Sequence, residues 1–506
     1  MSNPRRRQPA VKWIAFAAVA LLIFLAAGFT LNGVASTLVR DRAMRALREN
    51  FGGQLELKDM SVTVFPHFRL SGDGLVIHYH GRTDLPPLIT VRRFSAEGGL
   101  ISLLAGHIAK TRLEGLEIQV PPKSERTHQQ EPGAPRRLPV VIDEIQADGT
   151  ILKTLPKNPD KEPLEWDIRL LTLHGASASS PMSFHATLIN AKPPGDIETT
   201  GKFGPWQAGE PADTPVEGSY KFQNADLSVF KGISGSLSSQ GTYRGELERI
   251  EVQGTTDTPG FALKVSGNPV HLTTQFQAVV DGTDGDTELQ PVKAQFGRSS
   301  VVARGSVEGT KGVKGKTISL DVQVDDGHLE DMLRLAVKGA PTMRGGVSFH
   351  AKLTIPPGDI DVAQKMKLDG AFTAQAARFS RTDIEEKVTE LSHRGKGEPE
   401  APPTDNVASD FAGHFKIGQG LVSFQNLSFR VPGVQISLRG DYSLGNQQMD
   451  FHGRAKLEAK LSETTTGFKS FLLKAVDPFF KKKNTGADIP IKITGSRDQP
   501  SFGLDL

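Results

Sequence analysis

The chain has no cysteine, so disulfides contribute nothing to its stability. It also lacks charge of one dominant sign. Lys and Arg number 60 against 57 Asp and Glu, a formal net charge of +3, which is neither the basic excess of a polyanion binder nor an acidic tail. No nucleic-acid partner is expected. Hydrophobic residues make up 37%, less than in a typical compact domain. Motifs that carry chemistry are missing too: no HExxH, GxSxG or Walker A pattern occurs. "GTKGVKGKT" (309–317) is one residue out of Walker spacing and runs into the strand-like "TISLDVQV". Asp281, Asp284 and Asp286 in "DGTDGDTE" lack the spacing and closing Glu of an EF-hand loop and read as a tight turn. His78 and His80 share a strand face, but the other histidines are scattered singly, so an exposed polar face is expected there. The expectation is a non-enzymatic chain with no metal or cofactor.

What the chain has is turns and alternation. Gly (52) and Pro (32) are abundant, and clusters such as "SGDG" (71–74), "EGTKG" (308–312) and "RGDYSLGNQ" (439–447) read as hairpin turns or short loops. Between them, apolar residues recur every second position. Ile318, Leu320, Val322 and Val324 form one such series; Val347, Phe349, Ala351, Leu353 and Ile355 form another. Phe261, Leu263 and Val265 behave alike, as do Val434, Ile436 and Leu438, Met182 to Leu188, and Ile489 to Ile493. Successive strand residues point to opposite faces, so such strands build a sheet with one apolar and one polar face.

Helical signals are few. Trp13–Val39 holds no charged residue, and about 20 apolar residues cross a bilayer core. Arg5, Arg6, Arg7 and Lys12 precede it. A cleaved signal peptide, with small residues at Ala26–Gly28, is the alternative, but the run exceeds a usual signal core and favours an uncleaved anchor. Short helices are expected at Gly98–Ala109 and within 325–339. An amphipathic helix is expected at 468–480, where Phe468, Phe471, Leu472, Phe479 and Phe480 share a stripe ahead of Lys481–Lys483. It either caps the sheet or docks on an anionic membrane. Two polar Pro-rich breaks, 121–137 and 393–406, complete the organisation: 1–33 tail and anchor, 34–120 helix and strands, 138–392 the main β region, 407–506 a C-terminal β region.

A one-faced sheet must cover its apolar side with helices, a second sheet, closure or a ligand. Helices are too few. A series of β-sandwiches and a long curved sheet with an open apolar groove both satisfy the alternation.

The N-terminal order of span, short helix, "GGQLELKDMSVTVFPHFRLSGDGLVI" (52–77) and "LITVRRFSAEGGLISLLAGHIAKTRLEGLEIQV" (88–120) resembles the start of AsmA-family proteins. "IPIKITGSRDQPSFGLDL" (489–506) is similar to their closing strands, while "HLTTQFQAVVDGTDGDTELQPVKAQF" (271–296) and "LEDMLRLAVKG" (329–339) are looser likenesses. The resemblance implies a mainly β fold: a single transmembrane helix, then an elongated, taco-like repeating β-groove with a few short helices. It implies an inner-membrane-anchored periplasmic protein that holds or transfers phospholipid toward the outer membrane, with an outer-membrane or periplasmic protein as a possible partner. Ile318, Leu320, Val322, Val324, Val347, Phe349, Leu353, Ile355, Phe261, Leu263, Val265, Val434, Ile436 and Leu438 are then candidate groove residues. Twenty-five to thirty strands would give a groove of roughly 120–145 Å. An assembly factor for outer-membrane proteins and a β-sandwich envelope scaffold are the alternatives.

Overall fold

The computed structural model describes residues 55–63, 68–78, 85–99, 102, 107–122, 141–156, 163–177, 180–207, 210–310, 312–398, 407–459 and 488–505. Strand makes up 69% of them, and 23 strands form one curled half-barrel sheet with few helices. A series of β-sandwiches is thereby excluded. The expected anchor, most of 121–137 and the expected helix at 468–480 lie outside the described residues. Among the described residues, no helix is long and apolar enough to cross a membrane.

The sheet begins as an antiparallel meander of β1 (Leu55–Thr63), β2 (Phe68–Ile77), β3 (Ile89–Gly98) and β4 (His107–Val120). β5 (Val141–Thr154) then pairs parallel to β4. Parallel neighbours cannot be joined by a tight hairpin, so β4 and β5 are adjacent strands of one sheet without being a hairpin. The strands on either side of the Pro-rich break therefore belong to one sheet. Every later pairing is antiparallel. β6 (Leu164–Ala176), β7 (Met182–Ala191), β8 (Pro194–Phe203) and β9 (Pro215–Asp226) follow. The two-residue β10 (Ile233–Ser234) pairs only with the far end of β12 and stands outside the main succession. The succession resumes with β11 (Ser236–Glu246), β12 (Arg249–Leu263), β13 (Val270–Val280), β14 (Thr287–Phe296), β15 (Ser299–Gly309) and β16 (Lys316–His328). It ends with β17 (Met343–Ile355), β18 (Lys367–Phe379), β19 (Ser409–Gly418), β20 (Leu421–Val431), β21 (Val434–Ser443), β22 (Gln448–Leu457), β23 (Asp488–Ser496) and β24 (Pro500–Leu504). Twenty-three strands at about 4.8 Å give a sheet of about 106 Å, shorter than the strand count expected from sequence.

Helix α1 (Leu329–Ala336) lies inside the expected 325–339 segment, whose first residues instead finish β16. Gly98 ends β3 and His107 opens β4, so both ends of the expected helix at 98–109 are strand; between them Ser102 is helical. Helix α2 is one turn, Val362–Lys365. Helix α3 (Thr382–Lys396) runs into the break assigned to 393–406. Its signals are conventional: Asp383 and Glu385 in the first turn, His393, Arg394 and Lys396 in the last, and Gly397 at φ +80° ending it.

Two clusters of buried apolar side chains lie toward the ends of the sheet, with buried residues such as Phe296, Val324 and Val347 between them. One cluster joins Val91, Phe94, Leu116, Ala147, Ile168, Leu171 and Ala186. The other joins Phe429, Val431, Val434, Ile436, Leu438, Phe451 and Ala455 with Val388 of α3. The helix is pinned there by Ser392 Oγ donating to Pro432 O at 2.7 Å. Its Gly395 lies so close to Gly433 that a Cβ would sit 2.5 Å from the Gly433 carbonyl oxygen. At its other end, Arg381 donates to Asp498 O at 3.2 Å, and Lys387 Nζ sits 5.9 Å from the Phe502 ring centre. Helix α3 therefore closes the C-terminal end of the half-barrel.

Candidate functional site

Strand register decides which residues share a face. One cross-strand row passes through every strand of the main sheet: Val62, Leu70, Ala96, Thr111, Ile145, Leu173, Phe184, Gly201, Gly218, Tyr243, Val252, Ala278, Leu289, Gly305, Leu320, Leu353, Leu368, Ile417, Val422, Tyr442, Met449, Gly495 and Pro500. No position in the row is charged. Parallel rows repeat the pattern: Leu188, Ile197 and Phe222 on β7 to β9, and Ala303, Val322, Ala351 and Gly370 on β15 to β18. The apolar face is continuous because each bulge shifts register without reversing which side the apolar residues take.

The opposite face carries charge, paired across strands. Arg93 meets Asp73 at 3.1 Å, Lys110 meets Glu144 at 3.0 Å, Arg244 meets Glu251 at 3.2 Å and Arg454 meets Asp488 at 2.8 Å. Several histidines join these pairs. His414 lies 2.9 Å from Asp369, and His452 lies 3.0 Å from both Asp450 and Asp505. The hydrogen bond to Asp505, then the charges of Asp505 and Asp450, hold His452 above its ordinary pKa. Such exposed pairs contribute about 1 kcal/mol or less each; they solvate the face and fix register. His78 Nε2 lies 3.4 Å from Glu56 with the His78 side chain only 12% exposed, so it is not on the exposed polar face expected from sequence, and His80 lies outside the described residues. Asp281 accepts from Thr283 N at 2.8 Å, Asp284 from Asp286 N at 2.9 Å, and Asp286 takes Gly309 N and Lys316 Nζ at 2.9 and 2.6 Å. The Asp-rich segment is a turn that uses its own carboxylates. Among the described residues, no group of three or more metal-ligating side chains occurs.

Burial separates the apolar face into packed ends and an open middle. On β8 and β11, inward and outward residues alternate between partly and fully exposed, and none is buried. Two short motifs shape this middle: "GSY" (218–220) and "GTY" (241–243) lie antiparallel, so Tyr243 sits opposite Gly218 and Tyr220 opposite Gly241. Each ring lies over the facing glycine. A Cβ on Gly218 would fall 2.6 Å from the Tyr243 hydroxyl, and one on Gly241 would fall 2.9 Å from the Tyr220 ring. Tyr243 Oη meets Thr199 Oγ1 at 2.7 Å, and Tyr220 Oη meets Ser239 Oγ at 3.1 Å. Thr199 and Ser239 spend their own protons on Ser219 O and Thr255 O, so each tyrosine is the donor. Burial pushes both phenols above their ordinary pKa. At these two positions the ring of one strand takes the space above the glycine of the next.

The candidate residues divide along these lines. Ile318, Leu320, Val322, Phe349, Leu353 and Ile355 lie half-buried on the apolar face, where Ile318 pairs with Ile355, Leu320 with Leu353 and Val324 with Phe349. Val324 and Val347 share that face but are 1% and 7% exposed. Phe261 and Leu263 are half-buried at the end of β12, and Val265 lies in the following turn. Val434, Ile436 and Leu438 belong to the packed C-terminal cluster under α3, so side chains of the protein already cover them. Sequence reasoning missed the two tyrosine–glycine pairs and α3. The repeated G-[S/T]-Y triplet and the helix-end charges were the available signals.

Comparison with protein-family models, with curated proteins and with solved structures finds no match for this chain.

Proposed function

We propose that this protein holds lipid acyl chains on the apolar face of its curled sheet and passes them along it. The observation that carries the reading is the uncharged row through all strands, left partly open in the middle while the outer face is charged. Each methylene removed from water contributes roughly 0.8 kcal/mol, so an acyl chain is retained by length alone, without a headgroup site. The hydroxyl protons of Tyr220, Tyr243, Thr199 and Ser239 are all spent within the sheet, which suits a cargo that slides. The resemblance to AsmA-family chains adds phospholipid as the cargo. The apolar run Trp13–Leu31 adds an anchor in the inner membrane, with the sheet in the periplasm, and an outer-membrane or periplasmic partner at the receiving end.

The test is native mass spectrometry of the full chain purified in mild detergent, with extraction and identification of bound lipid. Phospholipid in about stoichiometric amount is expected. Val322→Asp should lower it, whereas Ser319→Asp and Gln323→Asp, on the exposed face of the same strand, should not. Protein that retains no lipid after extraction from phospholipid-rich membranes would refute the reading.

A further inference from the structure

The two rims of the sheet, formed by turns and loops at opposite strand ends, touch each other. Thr154, at the β5–β6 end, donates through Oγ1 to Thr283 O between β13 and β14 at 3.1 Å. Lys231, between β9 and β11, meets the β17–β18 connection twice: its carbonyl accepts from Val362 N at 2.8 Å, and its Nζ lies 2.9 Å from Asp359 Oδ2. Arg497, between β23 and β24, donates to Lys338 O, between β16 and β17. In each case the register places the two partners at opposite ends of their strands. Counted along the main sheet, without β10, each contact steps seven strand positions. Three separate contacts share this step, while Arg381, reaching Asp498 O from the start of α3, steps five at the C-terminal end; the ribbon coils with its rims seven strands apart over most of its length.

That step sets the bore. Seven strand spacings are about 34 Å, and a ten-residue strand spans about 33 Å, so a rim-to-rim circuit is about 47 Å and the backbone diameter about 15 Å. Eight strands tilted by about 40° enclose a perimeter of about 50 Å. Barrels of that size have room for their own side chains or for one small ligand. A bore of this width is matched to a single slender chain where the side chains leave it open, and it is too narrow for a lipid headgroup, which would stay in the slit between the rims.

We propose that the segments Lys231–Gly232 and Asp359–Val362 form a latch that closes this slit over the open middle of the groove, and that lipid is admitted sideways when the latch parts. This rests on the lipid-holding reading above. The latch is built to open. Its ion pair is exposed, with side chains 58% and 75% accessible, and so is weak. Asp361 caps α2 through Ala363 N at 2.9 Å, which keeps that side of the latch folded when the rims separate. The contact is also close-fitting: a Cβ on Gly232 would lie 2.5 Å from Asp361 Oδ1, so only a residue without a side chain lets the rims meet there.

The chain's lack of cysteine permits a direct test. Lys231→Cys with Val362→Cys, joined across the rims by the backbone hydrogen bond, is compared with Thr242→Cys and Gln253→Cys, register partners within the sheet on its outer face. Uptake of a phospholipid with a fluorophore on one acyl chain is followed from donor vesicles. The reduced latch pair, which lacks the Lys231–Asp359 ion pair, should load at least as fast as both forms of the control, and the oxidised latch pair should lose uptake. Asp359→Ala should speed uptake by unmodified protein. Equal loading by oxidised and reduced latch pairs would overturn the proposal, as would failure of the latch disulfide to form. If no form of any variant takes up lipid, the lipid-holding reading itself falls and the latch with it.

Discussion

Val322 and Val324 make a controlled comparison, because they lie two residues apart on one face of β16 and differ in what covers them. Val324 is 1% exposed beside its partner Phe349, whereas Val322 is half-buried opposite Ala303 and Ala351. Replacing Val324 with Asp forfeits about 2 kcal/mol of apolar burial. The carboxyl is also desolvated. If burial lifts its pKa by about 3 units, ionisation at pH 7 adds about 4 kcal/mol. The total, about 6 kcal/mol, compares with the 5–15 kcal/mol that holds a typical domain. The electrostatic part has a defined pH window. A carboxyl whose folded pKa is raised carries no ionisation penalty below its unfolded pKa of about 3.9, and the penalty grows as pH rises to the folded value. Val324→Asp should therefore be far less destabilising at pH 4 than at pH 7. In Val322→Asp the carboxylate reaches water in the open groove, so the loss should be about 1–2 kcal/mol with little pH dependence. Urea midpoints of delipidated protein between pH 4 and 8 measure both. Equal losses with equal pH slopes would mean that position 322 is as sealed as 324, and the open floor would be wrong.

Three further outcomes follow from the geometry. His452→Gln should flatten the pH dependence of stability. A histidine held above its ordinary value by Asp505 and Asp450 contributes stability that is full below about pH 6.5 and lost as pH rises through the raised folded value. Urea midpoints from pH 5 to 9 would show this, and an unchanged slope would dismiss the pairing. Gly218→Ala should destabilise by about 1–3 kcal/mol through overpacking, because its Cβ meets Tyr243 Oη at 2.6 Å and Thr200 O at 2.5 Å; tyrosine fluorescence would report the displaced ring. Val388→Ala, in the helix that closes the C-terminal end, should cost about 1–3 kcal/mol and should expose the Phe429–Phe451 end to a hydrophobic dye. A variant as stable as the parent would mean α3 rests on the sheet without sealing it.

By itself, the sequence determined that the chain is built of strands with one apolar face. Period two is a local property, written in series such as Ile318 to Val324, and it needs no knowledge of partners. The turn at 281–286 was legible for the same reason: its Asp and Gly residues act within a few positions of themselves. Only the tertiary structure decided what covers the apolar face. Val434 and Val322 alternate alike in sequence, yet one lies in a packed core under α3 and the other on an open floor, because cover comes from elements far along the chain. The parallel pairing of β4 with β5 was not legible, since whether β5 pairs parallel or antiparallel depends on the neighbour it finds. The seven-strand step between rims is the furthest from sequence. It is set by twist accumulated over many strands, and it appears only where Thr154 meets Thr283 or Lys231 meets Asp359, residues 129 and 128 positions apart.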